Sequence, residues 1–140
     1  VDEVPLDGSL EVVAGTHERP WLLPRTFLDE EARWFPEGSL DELPDIDADR
    51  AAYPIRSWAL EPGDAIAFHF LSVHGAAGFR GPGRRRVLSL RYVGDDARHA
   101  PRPWATSPEF PGLADELADG AELDHPSFPV VWPRDAARGS

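Results

Sequence analysis

The 140-residue chain is acidic: 25 Asp and Glu face 14 basic residues, which gives a net charge of −11. That charge argues against a nucleic-acid backbone or an anionic membrane surface as the partner, because both would repel the chain. The absence of cysteine excludes disulfide scaffolds and thiolate metal sites, and no apolar run is long enough to span a membrane. We expect one cytoplasmic domain over residues 1–140.

The first third of the chain predicts one short strand followed by a long irregular connection. Asp7-Gly8 indicates a turn, Leu10–Val13 a strand and Gly15 its end. Residues 20–54 carry five prolines and an acidic run that we interpret as a solvated loop, with one helical turn near residues 29–34. The aromatic residues of this loop are candidates to cover a pocket mouth: Trp21, Phe27, Trp34 and Phe35.

Strand patterns follow closely in the middle of the chain. Ile55–Leu60, Ala65–Val73 and Arg86–Val93 read as strands, and residues 61–64 form a turn. Strands at this spacing, with 15 Pro and 12 Gly in the chain, indicate an all-β sandwich or barrel with little helix. A weak helical pattern at Leu113–Leu117 precedes a tail expected to pack its aromatic residues over the barrel, namely Trp104, Phe110, Phe128 and Trp132.

His74 is the leading candidate for chemistry. It ends an apolar run and precedes Gly75-Ala76-Ala77-Gly78, small residues that let a metal or ligand approach the backbone. The alternative is a histidine at a strand end that is satisfied by hydrogen bonds alone. His69 lies on the opposite side if the strand is unbroken, and we expect it to be a packed or surface residue.

Arginines cluster directly after this histidine. Seven of the 14 basic residues lie between positions 80 and 102, and none of the 14 is Lys. Such a cluster in an acidic chain favours a small anionic ligand. Strand alternation puts Arg85 and Arg91 on one face and Arg86 on the other. An arginine that points inward needs an anion, because burying an unpaired guanidinium is costly; the alternative is a solvated basic edge.

Four motifs together resemble a known family: GDAIAFHFLSVHGAAG, RRRVLSLRYVGDDAR, RPWATSP and the opening GSLEVVAGTH. They are similar to the C-terminal half of the phytanoyl-CoA dioxygenase family of Fe(II)/2-oxoglutarate-dependent oxygenases. The resemblance covers roughly residues 4–110. It implies a double-stranded β-helix, a jelly-roll or cupin-like barrel of eight strands, with iron held by two histidines and one carboxylate.

The resemblance also implies roles for individual residues. His74 matches the second histidine of the iron site, and Arg85 matches the arginine that binds the distal carboxylate of 2-oxoglutarate, with Arg91 as second choice. His17 falls in the family's Gly-Ser-His turn, where Thr16 replaces Ser, and is not expected to bind metal. Asp64 matches a structural turn residue. No catalytic residue beyond the metal ligands is implied.

One family motif is absent. The His-x-Asp pair that supplies the other two iron ligands belongs before the Gly-Ser-His turn, and no histidine precedes His17. His99 and His125 lack that spacing. The first three strands of the barrel are missing with it. Together with Val1 and the absence of Met, this predicts that the chain is the C-terminal part of a longer oxygenase domain.

We therefore expect the parent protein to be an oxidoreductase that hydroxylates a small organic substrate with dioxygen, Fe(II) and 2-oxoglutarate, releasing succinate and CO2. Enzyme activity of this chain alone is in doubt. An alternative is a truncated barrel that binds small anions or a partner without redox chemistry. A metal-dependent isomerase or hydrolase on a cupin-like barrel is a third, less favoured interpretation. The sequence does not indicate the oligomeric state.

Overall fold

The computed structural model describes residues 2–23, 38, 40–78, 84–102 and 108–132. The chain divides into two compact units, Val1–Ser89 and Leu90–Ser140. The helical turn predicted near residues 29–34, three of the loop aromatics (Phe27, Trp34 and Phe35) and Trp104 lie outside the described residues. No helix of the described ranges is long and apolar enough to cross a membrane.

The first unit is built on a small antiparallel sheet. Strand β1 (Glu11–Val13) lies between β2 (Ile55–Ser57) and β3 (His74–Gly75). Val12 is the cross-strand partner of both Arg56 and His74, which fixes the register of all three strands. β-Branched Val12 and Val13 suit the central position, where both are buried.

Short connecting segments frame this sheet. Three 3-10 segments lie at Leu6–Gly8, Thr16–Glu18 and Asp47–Ala52. Gly15 enters the second with φ of 80°, a left-handed conformation that favours glycine. An isolated bridge joins Val4, only 2% exposed, to Leu60. The predicted turns at Asp7-Gly8 and at residues 61–64 are confirmed, the latter by a 2.9 Å hydrogen bond from Glu61 N–H to the Asp64 carboxylate.

The second unit contains one short helix and a local pairing. Helix α1 (Leu113–Glu116) confirms the weak helical pattern and buries Leu113. His99 is buried and exchanges 2.8 Å backbone hydrogen bonds with Ala121 and Gly120. The rings of Phe110 and Phe128 lie 5.0 Å apart and form an aromatic pair within this unit.

Two predicted strands are wrong. Residues 65–73 form no strand, and a turn closed by a 2.9 Å hydrogen bond from Ser72 N–H to the His69 carbonyl interrupts the apolar run. Residues 86–93 are also not a strand; Leu88 is 73% exposed. A strand needs a neighbour that pairs its backbone groups along its length. Among the described residues, only the ends of these runs have such a backbone partner: Val73 is bonded by Val13, and Arg86 by Asp2. The prediction of short strands with little helix is confirmed in outline.

Candidate functional site around His74

His74 opens β3 at the edge of the sheet. Its side chain is exposed, and the ring of Phe68 lies 4.9 Å away at 57°. Because cross-strand partners project to the same face, His74 shares its face of the sheet with Val12. The small residues Gly75 and Ala76 follow at once and keep the approach to the imidazole open.

The hydrogen bonding of the imidazole fixes its tautomer. Nδ1 lies 2.7 Å from the carbonyl oxygen of Ser72. A carbonyl only accepts, so Nδ1 carries the proton and donates it, which leaves Nε2 with its lone pair. No described residue bonds Nε2. A backbone carbonyl on one ring nitrogen is the arrangement that orients a metal-binding histidine through the other nitrogen.

Thr16 joins the turn after β1 to the segment that carries His74. Its hydroxyl donates to the Val13 carbonyl at 2.7 Å and accepts from the Val73 N–H at 2.9 Å. The Val13 N–H donates to the Val73 carbonyl at 2.9 Å. The residue before His74 is therefore held on both of its backbone groups, which positions the imidazole.

Replacing Thr16 with Val tests this connection. The variant keeps the shape of the side chain but leaves a part-buried N–H and carbonyl without their partner, so we expect it to lower the free energy of unfolding by about 1–3 kcal/mol. Thr16→Ser, which retains the hydroxyl, is the matched control and should stay within about 0.5 kcal/mol. Urea denaturation measures both; equal stability of the two variants would contradict the role of the hydroxyl.

His69 and His17 lie close to each other. Their ring centroids are 5.3 Å apart, and His69 also stacks on Phe70 at 5.2 Å. Nδ1 of His69 accepts the N–H of Leu71 at 3.2 Å. His69 is exposed, as expected of a surface histidine. Strand alternation does not apply between His69 and His74, because the turn closed by Ser72 breaks the predicted strand.

His74 has too few neighbouring donors to complete a metal centre. Within the described ranges, no group of three or more His, Cys, Asp or Glu side chains is placed to hold a metal ion. The complete sequence contains no histidine followed two positions later by Asp or Glu. The residues present therefore fit one ligand of a metal site, and two further ligands are required from elsewhere.

Arg86 forms a two-pronged ion pair with Asp2. Its Nη2 and Nε reach the two carboxylate oxygens of Asp2 at 2.7 and 3.1 Å, and its backbone N–H donates to the same carboxylate at 2.7 Å. The side-chain hydrogen bond from Arg86 lowers the pKa of Asp2 to about 2, and the same contact raises the pKa of Arg86. Arg86 thus already pairs with an internal carboxylate through Nε and Nη2.

The Asp2–Arg86 contact predicts a pH dependence of stability. A carboxyl whose pKa is lowered by folding contributes fully above its unfolded pKa of about 4 and loses that contribution as pH falls through about 2. The urea midpoint of Asp2→Asn should therefore lie below that of the parent chain at pH 7, and the two should converge between about pH 4 and pH 2. The exposed Asp7→Asn is the control; a constant difference down to pH 2 would contradict the prediction.

Arg85 differs from Arg86 in its hydrogen bonding. Its side chain is half-buried, and its Nε is buried without a hydrogen-bond partner in the described part of the chain. Arg84 is exposed. A buried donor of a charged group without an acceptor is costly, so this nitrogen is suited to an incoming anion. Arg91 is exposed and belongs to the second unit.

The sequence model of the phytanoyl-CoA dioxygenase (PhyH) family matches residues 1–87. The chain belongs to the PhyH family. A probable phytanoyl-CoA dioxygenase of Caenorhabditis elegans is 31% identical over 120 residues, which are 83% of this chain and 35% of that relative. The chain thus spans about a third of the relative's length. No solved structure matches the chain.

PhyH membership confirms the resemblance carried by the sequence motifs. Members of the PhyH family generally depend on Fe(II) and 2-oxoglutarate. The matched range includes His74 and Arg85 and ends before Arg91. Sequence reasoning missed the Thr16 connection and the pairing of Arg86 with Asp2. The position of Thr16 within the Gly-Ser-His-like turn could have indicated its role. No feature of the sequence indicated the contact between Asp2 and Arg86.

Proposed function

We propose that this chain is the C-terminal part of a PhyH oxygenase domain that hydroxylates a small organic substrate in a reaction coupled to 2-oxoglutarate. The observation that carries the proposal is His74: its Nδ1 lies 2.7 Å from the Ser72 carbonyl, and no described residue bonds its Nε2. Arg85, whose buried Nε has no hydrogen-bond partner among the described residues, supports the proposal from the same unit. Family membership supplies the reaction class.

His74 would hold Fe(II) through Nε2. Bound iron with 2-oxoglutarate supplies activation of dioxygen, with succinate and CO2 formed as the substrate C–H bond is hydroxylated. The chain's own contribution is to direct Nε2 of the imidazole towards the metal and to hold the ring in a fixed direction. The Ser72 carbonyl fixes the tautomer, and the two bonds of Thr16 fix the preceding backbone.

The two remaining ligands would come from residues outside this sequence. Strand β3 lies at the edge of the sheet order β2-β1-β3, and its outer edge has no partner among the described residues. A strand paired there would lie about 5 Å from β3 and would bring its own side chains beside His74. This edge is the natural place for a His-x-Asp strand, in a jelly-roll barrel that this sheet would extend.

Arg85 would bind the far carboxylate of 2-oxoglutarate. A guanidinium holds a carboxylate through paired hydrogen bonds, and the orphaned Nε is one such donor. Arg86 already pairs with Asp2 through Nε and Nη2, so it is less suited to the role than Arg85. Arg91 is the second choice that the family resemblance offers, although residues 86–93 do not form the strand that would put it on the same face as Arg85.

An anaerobic titration with Fe(II) and 2-oxoglutarate tests the proposal. The visible metal-to-ligand charge-transfer band should appear in a protein extended upstream to include a His-x-Asp or His-x-Glu motif and not in this chain alone. The absence of a band from both proteins would overturn the proposal.

If neither protein shows the charge-transfer band, the second candidate function is favoured. In that case the chain is a truncated barrel that binds small anions without redox chemistry. Its supporting observation is the absence of a three-ligand cluster from the described residues, together with the missing His-x-Asp motif. Retained binding of 2-oxoglutarate without metal, lost in Arg85→Gln, would then identify the chain as such a module.

A further inference from the structure

The register of the sheet puts an arginine on the same face as His74. Val12 is the cross-strand partner of Arg56 on one side and of His74 on the other. Directly paired residues of antiparallel strands project to one face, so Arg56, Val12 and His74 form a row across the sheet. Arg56 and His74 are separated by two strand spacings, so their Cα atoms lie about 10 Å apart.

A groove identifies the residues on the opposite face of the sheet. An open groove of about 800 Å³ has Glu11, Ile55 and Ser57 among its lining residues. These residues alternate with Val12 and Arg56 along their strands, so they project to the other side. Arg56 therefore does not belong to that groove and lies on the face that carries the candidate metal ligand.

Arg56 is also free of internal partners. Its guanidinium makes no hydrogen bond or ion pair with any residue of the described ranges. Arg50, Arg86 and Arg98 each pair with carboxylates, in a chain that carries 25 acidic residues. An exposed, unpaired guanidinium beside a buried valine is available to a ligand bound on that face.

We propose that Arg56 binds an oxyanion of the primary substrate, a carboxylate or a phosphate ester, and so selects for an anionic substrate. The inference rests on the proposed function, because His74 marks where the reacting carbon must lie. Arg85 serves the cosubstrate, whereas Arg56 sits two strands from His74 in the first unit. The anionic group would thus anchor the substrate with its reacting carbon towards Nε2 of His74.

Binding of defined probes to the upstream-extended protein tests the inference without relying on turnover. Zn(II) and 2-oxoglutarate at saturation occupy the metal and Arg85 positions, and hexanoate, n-hexyl phosphate and 1-hexanol are titrated separately. The side-chain Nε–Hε NMR signal of Arg56 is identified as the one that is absent from the spectrum of Arg56→Gln. We expect this signal to shift with one or both anions and not with hexanol, and Arg56→Gln to weaken anion binding at least about tenfold.

Matched variants separate the outcomes. Arg102→Gln removes the same charge from the second unit and should leave probe binding unchanged, while Arg56→Lys should retain part of it. Preference for hexanoate or for hexyl phosphate identifies the oxyanion. If Arg56→Gln binds the anions as tightly as the wild type, the inference is overturned. If Arg56→Gln instead weakens the binding of 2-oxoglutarate, Arg56 serves the cosubstrate and the inference is likewise overturned. Failure of the wild type to bind 2-oxoglutarate refutes the proposed function instead.

Discussion

Replacement of His74 with alanine in the upstream-extended protein is expected to abolish the Fe(II)/2-oxoglutarate charge-transfer band and to lower succinate formation by roughly two orders of magnitude or more. The substitution deletes one of three protein ligands, and losing even a group that only orients a ligand typically costs 10–100-fold. Anaerobic spectroscopy measures the band, and the release of succinate from 2-oxoglutarate under air measures the reaction.

His125→Ala provides the matched histidine control. His125 belongs to the second unit and donates from Nε2 to Glu116 at 2.9 Å, so its loss removes that hydrogen bond and leaves His74 in place. Its band should equal that of the wild type. Urea denaturation of both variants checks that each is folded. A folded His74→Ala protein with an undiminished band would remove His74 from the metal site.

Substitution of the adjacent arginines should give opposite results. Arg85→Gln is expected to raise the KM for 2-oxoglutarate about 100-fold, because it removes a charged, two-pronged contact to the far carboxylate. Arg86→Gln should change that KM less than about threefold and instead lower stability at neutral pH, since it breaks the contact with Asp2. Steady-state kinetics in 2-oxoglutarate and urea midpoints measure the two effects.

Arg86→Gln is the charge control for Arg85→Gln, because each variant loses one positive charge and the two positions are adjacent. Arg85→Lys tests geometry: it keeps the charge but loses the fork, so its KM should lie between those of the wild type and Arg85→Gln. If Arg91→Gln rather than Arg85→Gln raised the KM, the second choice made from the sequence would be the cosubstrate arginine.

Local features of the fold could be predicted because they depend on neighbouring residues. The strand at Leu10–Val13 is observed at Glu11–Val13, and Ile55–Leu60 is observed as β2 at Ile55–Ser57 with a bridge at Leu60. The runs at Ala65–Val73 and Arg86–Val93 have equally strong patterns but are not strands. An apolar run indicates suitability for a sheet, whereas a strand also needs a partner for its hydrogen bonds.

The family and the residue types of the candidate site could be predicted from local motifs, because Val73-His74-Gly75 and the arginine triplet are continuous in the chain. Which of their donors already have partners depends on the folded structure. Asp2 occupies Arg86 across 84 positions, and Thr16 holds Val73 across 57. The register around Val12 aligned Arg56 with His74. These relations depend on strand pairing between distant segments, which local patterns do not encode.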